Sequence, residues 1–281
     1  MEKILNKIFI QYVQSHFNDK ETNLIENFRS NLEKLENLIE KRIKHNYDSE
    51  EAVYYSILHH IETHINATKI KFIDLYKGYI FCINSNSYSG ALVISRTLLE
   101  NISMLDFLST RLINLVESRD YIKIIKELLN LSVPSWQTFK VDDYRRTHVN
   151  DALRHFSKST AFKEKSEKEI FKIYDPISEM SHPSPSSFLM YQTTSNNIEN
   201  NKIKFQTSFS QNSENIHEKV FPPISWVLVY PDILINKLYP KIQKKLIDEI
   251  KKKELEIHLH FKNNTDDLEK YNDLVRNLVL K

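Results

Sequence analysis

Residues 90–108 read GALVISRTLLENISMLDFL, and this stretch decides the fold class. It is long enough for about five helical turns, and it is apolar on nearly every side of such a helix. Its charged side chains are Arg96, Glu100 and Asp106. A helix that is apolar all round lies inside a bundle, with other helices packed around it. We therefore predict a buried central helix in a mainly α-helical bundle.

The sequence before this helix predicts further amphipathic helices. Residues 20–45 carry apolar side chains at spacings of three and four, and so does the stretch from Val53 to Ile65. Residues 67–83 become strongly apolar toward their end, and the polar run Asn84–Ser87 follows as a turn. Residues 67–108 should therefore form an antiparallel helical hairpin. Further helices are predicted at 110–131, 142–175, 224–250 and 266–280.

Glycine is almost absent, since Gly78 and Gly90 are the only two in 281 residues. A phosphate-binding P-loop, a Rossmann turn and a nucleophile elbow each need closely spaced glycines, so the chain excludes these sites. Sheet folds with many tight turns are disfavoured, because such turns need residues that accept positive φ. Both glycines fall in the predicted hairpin, where a missing side chain lets two helices approach closely.

The periodicity changes after the loop Pro183–Ser187. Alternating side chains at 188–194 and 202–209 predict two strands, joined by an asparagine-rich turn. We therefore expect a small β-hairpin near 187–209, added to the helical bundle. Leu255, Ile257, Leu259 and Phe261 alternate in the same way, so a further short strand is predicted at 255–261.

We divide the chain into three regions: N-terminal helices at 1–66 packed on the core, a helical core domain at 67–250, and a C-terminal strand and helix at 251–281. The formal net charge of +2 is too small to attract the protein to nucleic acid or to anionic membranes. Cys82 is the single cysteine, which excludes an internal disulfide and a multi-cysteine zinc site. With no signal peptide or membrane span recognised, we expect a cytoplasmic protein without a membrane partner or a cofactor.

The first candidate site is Arg96 with Glu100, one turn apart in the most apolar helix. Burying a charge is costly unless the charge is paired. Arginine four residues before glutamate is the weaker order for such a pair within a helix, so a third partner from another helix or a ligand is attractive. A structural ion pair that fixes the register of the bundle is equally open.

The second candidate is the segment 174–184, which reads YDPISEMSHPS. Asp175 and Pro176 predict the start of a short helix, which ends by His182 because a proline follows. Ser178 and His182 then share one face of that helix. A histidine at a helix C-terminus is favoured as the cation and suits acid or base chemistry near neutral pH. A histidine that only caps the helix is the alternative.

Two motifs carry a resemblance to a known group of proteins. Arg-Thr-Leu-Leu-Glu at 96–100 and Tyr-x-x-Ile-Ser-x-x-x-His-Pro-Ser at 174–184 resemble an uncharacterised bacterial all-helical family that is similar to the HEPN superfamily. Members of that superfamily include metal-independent ribonucleases of toxin–antitoxin and phage-defence systems. The resemblance covers about residues 67–190. It implies that four side chains converge on one site: Arg96, Glu100, Ser178 and His182.

The chain departs from that superfamily at one position. HEPN ribonucleases carry an arginine four to six residues before the histidine, whereas here Ile177 takes its place and Ser178 stands at the polar position. Arg96, from the neighbouring helix, would then supply the cation. In such an enzyme a base such as His182 deprotonates the ribose 2′-hydroxyl, and the cation stabilises the phosphorane. The same residues also fit a site that only binds.

The resemblance therefore implies a HEPN-like protein of a bacterial phage-defence or toxin system, acting as a metal-independent endoribonuclease. Its expected partners are RNA, an antitoxin or other defence-system protein, and a second copy of the chain in a homodimer. Basic side chains expected to contact RNA phosphates are Arg145, Arg146, Lys244 and Lys245, although charge runs of this size also suit solvated helix surface. The alternative function is a non-catalytic helical sensor or adaptor that binds a protein partner or RNA.

A third hypothesis is a metal hydrolase built on His60 and His64. These histidines share a helical face at metal-ligand spacing, but the His-Glu-x-x-His order of zinc proteases is absent. Since no cysteine or obvious carboxylate completes a ligand set, we expect a solvated helix face and no metal.

Overall fold

The computed structural model of the chain describes residues 4–17, 22–39, 52–132, 149–159, 167–181, 192–193, 204–205 and 220–279. This part of the protein is mainly helical, which confirms the predicted class. The first seven helices are α1 (Lys7–Phe17), α2 (Thr22–Asn37), α3 (Ala52–Asn84), α4 (Tyr88–Glu117), α5 (Tyr121–Ser132), α6 (Val149–Lys158) and α7 (Glu167–Ser181).

The C-terminal part continues in shorter helical pieces. Residues 221–252, which we call the composite helix, contain α8 (Phe221–Ser225), α9 (Tyr230–Ile233), α10 (Tyr239–Ile242) and α11 (Asp248–Lys252). A 3-10 turn, Trp226–Leu228, precedes α9, and two π-helical turns, Leu234–Leu238 and Gln243–Ile247, flank α10. The last helices are α12 (Glu254–Asn263) and α13 (Thr265–Val279).

Helix α4 lies at the centre of the bundle, as its sequence predicts. It packs against α3, α5, α6, α7 and the composite helix. Leu92, Leu99 and Leu105 are buried, and so are the polar Ser95 and Asp106. Because burying one leucine side chain stabilises the folded state by roughly 1.5–3 kcal/mol, this helix contributes heavily to the core.

Helices α3 and α4 form the predicted hairpin, joined at residues 85–87. Asn86 has φ of 57°, a left-handed conformation that asparagine tolerates better than most residues. A Cβ atom on Gly90 would lie 2.8 Å from Cys82 Sγ, closer than such atoms approach in proteins. A larger residue here would require the Cys82 side chain to shift, in agreement with the close approach predicted for the hairpin.

Helix α3 is continuous from Ala52 to Asn84 and so crosses the predicted region boundary at residue 66. Buried side chains from α1 to α13, such as Phe9 and Tyr271, belong to one hydrophobic cluster. The helices described by the structure therefore share a core, and the division into three regions stays a prediction. None of these helices has both the length and the apolar character needed to cross a membrane.

The prolines of the composite helix explain part of its irregular turns. Pro231 and Pro240 lie in the first turns of α9 and α10, where the missing N–H is tolerated. The ring of a proline clashes with the carbonyl four residues earlier, which for Pro240 belongs to Asn236, inside the π turn Leu234–Leu238. The wider turn relieves that clash, and the chain continues helical.

The strand predicted at 255–261 is wrong, because these residues belong to helix α12. Ile257 and Phe261 are buried, whereas Leu255 and Leu259 are 70% and 48% exposed. Residues four apart share one helical face, so an alternation over seven residues also fits a helix with one buried edge. Glu256, which lies between two of these apolar residues, favours the helix.

The helix break predicted at Asp175–Pro176 is also wrong. Helix α7 runs without interruption from Glu167 to Ser181 and contains Pro176. The proline removes one backbone hydrogen bond, but Tyr174 and Ile177 on either side are buried against the core. Tertiary packing therefore keeps the two halves in one helix.

The region of the predicted β-hairpin contains one short antiparallel pair. β1 (Gln192–Thr193) pairs with β2 (Lys204–Phe205), with Gln192 opposite Phe205. The rest of 187–209 lies outside the described residues, so the hairpin as a whole stays a prediction.

Candidate functional site

The candidate site lies where the last turns of α7 pack against the first half of α4. Ile170, Tyr174 and Ile177 are buried, and their spacings of four and three place them on one face of α7. That face turns toward the core of the bundle. The C-terminal turn of α7, which ends at Ser181, consequently comes beside Arg96 of α4.

Arg96 and Glu100 form an ion pair along α4, as predicted. Arg96 Nε donates to Glu100 Oε1 at 2.7 Å, and each side chain is 23% exposed. Arg96 also donates through Nη1 to Ser181 Oγ at 3.3 Å. The third partner expected from the weak order of this pair is therefore found on another helix, α7.

Tyr174 ties the same carboxylate to α7. Its hydroxyl donates to Glu100 Oε1 at 2.8 Å, and its ring centroid lies 5.9 Å from Arg96 Cζ, within the range of a cation–π contact. We call Arg96, Glu100, Tyr174 and Ser181 the Arg96 cluster. One carboxylate oxygen thus receives two donors from two helices, which fixes the orientation of the guanidinium.

The pKa values of this cluster reflect burial and the shared carboxylate. Burial raises the pKa of Tyr174, and its hydrogen bond to Glu100 raises that pKa further. Burial of the Arg96 guanidinium lowers its pKa, but the hydrogen bond and charge of Glu100 outweigh this effect, so the pKa lies above its ordinary value. Tyr174 is therefore a neutral donor and Arg96 a cation at physiological pH.

The other predicted site residues have different outcomes. Ser178 takes part through its carbonyl oxygen, which accepts a hydrogen bond from Ser181 Oγ at 3.1 Å. Lys244 and Lys245 are exposed on the π turn Gln243–Ile247. Three predicted residues lie outside the part of the chain that the structure describes: Arg145, Arg146 and His182.

Tyr174 and Ser181 are site residues that sequence reasoning missed as such. Both stand within the quoted segment 174–184, so the signal was present. The prediction placed Ser178 and His182 on one face of a short helix that starts at Pro176. It therefore did not include Tyr174, which lies on the continuous face of α7.

Comparison of the chain with protein-family models, curated proteins and solved structures found no match.

The Arg96 cluster presents a fixed cation near the protein surface. A guanidinium stays charged throughout the physiological pH range and has five N–H donors in a planar arrangement. This arrangement matches the oxygens of a phosphate group. Since Glu100, Tyr174 and Ser181 orient the guanidinium from two helices, Arg96 suits the binding of a phosphodiester or another oxyanion.

A second polar cluster on α4 was not predicted. Asp106 is 1% exposed, and its Oδ1 accepts a hydrogen bond from Lys241 Nζ at 2.9 Å. Lys241 Nζ also donates to Thr110 Oγ1 at 2.7 Å. His155 Nε2 lies 3.2 Å from Thr110 Oγ1 and 3.4 Å from Asp106 Oδ2. We call these four residues the Asp106 cluster.

The Asp106 cluster joins three elements of the bundle. Asp106 and Thr110 belong to α4, His155 to α6 and Lys241 to α10. Burying a carboxylate is costly unless it is paired with a cation and hydrogen-bonded. Here the cation and the hydrogen-bond donor come from side chains distant in sequence. The cluster therefore fixes how α6 and the composite helix sit on α4. The sequence shows Asp106 as a charge in an apolar helix. It does not show the partner, Lys241, which is 135 residues away.

The histidines of the metal hypothesis lie in α3. His60 and His64 are half-buried rather than solvated, and burial lowers the pKa of both imidazoles. Within the ranges that the structure describes, no group of three His, Cys, Asp or Glu side chains is placed to hold a metal ion.

Proposed function

We propose that this protein is a HEPN-like protein of a bacterial phage-defence or toxin system and that it cleaves RNA as a metal-independent endoribonuclease. The fold proposed with it is a HEPN-like bundle with a small β-hairpin after the His-Pro-Ser loop. One observation carries the proposal: the hydrogen bond between Arg96 Nη1 and Ser181 Oγ. His182 directly follows Ser181, and adjacent Cα atoms are about 3.8 Å apart. The predicted base is thus tethered to the residue that contacts the predicted cation.

The proposed reaction is an in-line attack of the ribose 2′-oxygen on the adjacent phosphorus. His182 removes the proton from the 2′-hydroxyl, the bond between O2′ and phosphorus forms, and the bond between phosphorus and O5′ breaks. The leaving O5′ takes up a proton, and a 2′,3′-cyclic phosphate remains. Arg96 stabilises the extra negative charge of the phosphorane, while Glu100 and Tyr174 hold its guanidinium in place.

RNA would also be held by surface charge. Lys244 and Lys245 are exposed, and Arg145 and Arg146 are the other proposed contacts. Each lysine or arginine that neutralises a phosphate makes the affinity fall with added salt. An antitoxin or other defence-system protein and a second copy of the chain complete the proposed partners.

The direct test is incubation of the purified protein with total RNA in the presence of EDTA. We expect wild type to produce fragments and the variants Arg96→Ala and His182→Ala to produce none. Arg29→Ala is a matched control, because Arg29 forms an ion pair of the same spacing with Glu33 at an exposed position. If wild type cuts no RNA, or if both site variants cut as fast as wild type, the catalytic proposal fails.

A non-catalytic sensor or adaptor is the second candidate, and the closed hydrogen bonding of the Arg96 cluster favours it. Glu100 Oε1 is already shared between Arg96 and Tyr174, as in a structural network. This function predicts that Arg96→Ala and Glu100→Ala lower the melting temperature, whereas wild type leaves RNA intact. It also predicts capture of a protein partner or of uncleaved RNA.

A further inference from the structure

Helix α3 has an exposed edge with a regular spacing. Its members recur at alternating distances of four and three residues, over about six turns of the helix. This spacing keeps side chains on one line where two helices pack side by side. The exposed residues on the line, which we call the α3 seam, are Thr63, Ala67, Ile70, Asp74, Lys77, Phe81 and Asn84.

The α3 seam contains two large apolar side chains that are open to solvent. Ile70 is 50% exposed and Phe81 is 71% exposed, and Val93 of α4 is 46% exposed. The residues that follow Phe81 and Val93 in sequence, 82 and 94, lie at the contacts between α3 and α4. Because these helices run antiparallel, Phe81 and Val93 lie on the same outer side of the hairpin. Exposed apolar surface of this kind marks interaction sites.

The charged residues of the seam lie between its two apolar ones. Asp74 is exposed and forms no ion pair within the ranges that the structure describes. Lys77 is 68% exposed and forms an ion pair with Glu36 at 3.1 Å. An ammonium group has three N–H donors, so Lys77 can pair with a second carboxylate while it keeps Glu36. The seam itself has no net charge, so it does not attract RNA or an anionic membrane.

The order of these residues is complementary to itself when two copies of α3 lie antiparallel. In a twofold dimer, a residue i that meets residue j of the other copy is matched by j meeting i. An axis midway between Asp74 and Lys77 places Ile70 opposite the partner's Phe81, because 70 and 81 are equally distant from it. The same axis places Asp74 opposite the partner's Lys77. Each apolar side chain therefore meets an apolar one, and each carboxylate meets an ammonium.

We propose that two copies of this chain associate through the α3 seam, antiparallel and about this twofold axis. A parallel pairing would bring Asp74 against the partner's Asp74 and Lys77 against the partner's Lys77, which like-charge repulsion disfavours. The inference gives a surface to the proposed homodimer. It rests on the exposed residues of α3 and not on the cleavage of RNA.

The test is a charge exchange, followed by sedimentation equilibrium of the full-length protein. We expect wild type to form dimers. Asp74→Lys brings lysines together across the axis and Lys77→Asp brings carboxylates together, so each variant should dimerise at least about tenfold more weakly. Both positions are exposed, so both variants should remain folded. An equimolar mixture of the two variants should form dimers again, because every lysine then faces a carboxylate.

A further variant checks the apolar part of the seam. Phe81→Ser removes the ring that faces the partner's Ile70 and should also weaken dimerisation at least about tenfold. Leu255→Ser is the matched control, because Leu255 is 70% exposed but lies on α12, outside the seam. The control should dimerise as wild type does.

The proposal is overturned if wild type is monomeric, if the single charge variants dimerise as tightly as wild type, or if their mixture stays monomeric. These results are separate from those for RNA. A monomeric wild type that cuts RNA removes the α3 seam and leaves the ribonuclease proposal standing. A wild-type dimer that responds to the charge exchange but cuts no RNA supports the seam and removes the catalytic proposal.

Discussion

Two of the ion pairs on helix α4 differ in their setting: Arg96–Glu100 in its first half and Asp106–Lys241 in its second half. In the first pair both side chains come from one helix and are equally exposed, at 23%. In the second pair the carboxylate is 1% exposed and its lysine, 135 residues away, is 22% exposed. The two pairs therefore have similar chemistry in different settings.

Under the proposed function, the first pair meets a ligand, whereas the second holds the bundle together. The charge of Asp106 is buried and is bound by a side chain from another element, so its role is to fix the packing of helices. The guanidinium of Arg96 lies nearer the surface and is oriented by Glu100 and Ser181. Under the proposed function, Arg96 is the cation that meets the substrate.

The largest effect on stability should come from Lys241→Met. This change leaves the buried carboxylate of Asp106 without its ammonium partner, and breaking a buried pair in this way costs about 3–5 kcal/mol in the free energy of unfolding. Urea denaturation followed by circular dichroism measures the loss. Lys245→Met, one turn further along at an exposed position, is the control and should change stability by less than about 0.5 kcal/mol. A loss below about 1 kcal/mol for Lys241→Met would remove the distinction between the two pairs.

The double variant Asp106→Leu with Lys241→Met tests whether these two side chains act as a pair. Replacing both members of a buried pair by apolar residues is often close to neutral, so the double variant should be more stable than Lys241→Met alone. We expect a coupling energy of about 2 kcal/mol from the double-mutant cycle in urea. Additive losses would show that the two side chains do not act as a pair.

A smaller effect is expected for Glu100→Gln. The change keeps the size of the side chain but removes the charge that binds Arg96 and accepts from Tyr174, which should cost about 1–2 kcal/mol. Glu33→Gln is the matched control, because Arg29–Glu33 has the same spacing with side chains 58% and 63% exposed. That control should lose less than about 0.5 kcal/mol. Equal losses for the two variants would contradict the role given to burial.

The smallest effect should come from Tyr174→Phe. The ring stays in place, so only the hydrogen bond from its hydroxyl to Glu100 is lost, at a cost of about 1 kcal/mol. The midpoint of urea unfolding measures this change. A loss as large as that of Lys241→Met would show that the Arg96 cluster also fixes the packing of the bundle.

Features of the molecule that depend on local spacing could be predicted from the sequence. The buried helix at 90–108 follows from its apolar pattern, and Arg96–Glu100 follows from a separation of four residues. The glycine at position 90 marks the close contact with Cys82. Each of these inferences needs only the geometry of one helix or of one hairpin.

The rest depends on contacts between distant parts of the chain. Nothing in the sequence indicates that Lys241 pairs with Asp106, since that pairing follows from how the composite helix packs on α4. The strand predicted at 255–261 failed because alternation over seven residues does not distinguish a strand from a helix with one buried edge. The break predicted at Pro176 failed because packing of Tyr174 and Ile177 overrides the local effect of the proline.

Under the proposed function, Arg96 acts on RNA whereas the Asp106 cluster acts on the fold. The most direct measurement is the rate of RNA cleavage by wild type, Arg96→Lys and Lys241→Met, in EDTA, at a temperature where all three are folded. Lysine keeps the positive charge but loses the planar array of donors, so we expect Arg96→Lys to lose at least about tenfold in rate, whereas folded Lys241→Met keeps the wild-type rate. No cleavage by wild type, or an undiminished rate for Arg96→Lys, would rule out this role for Arg96.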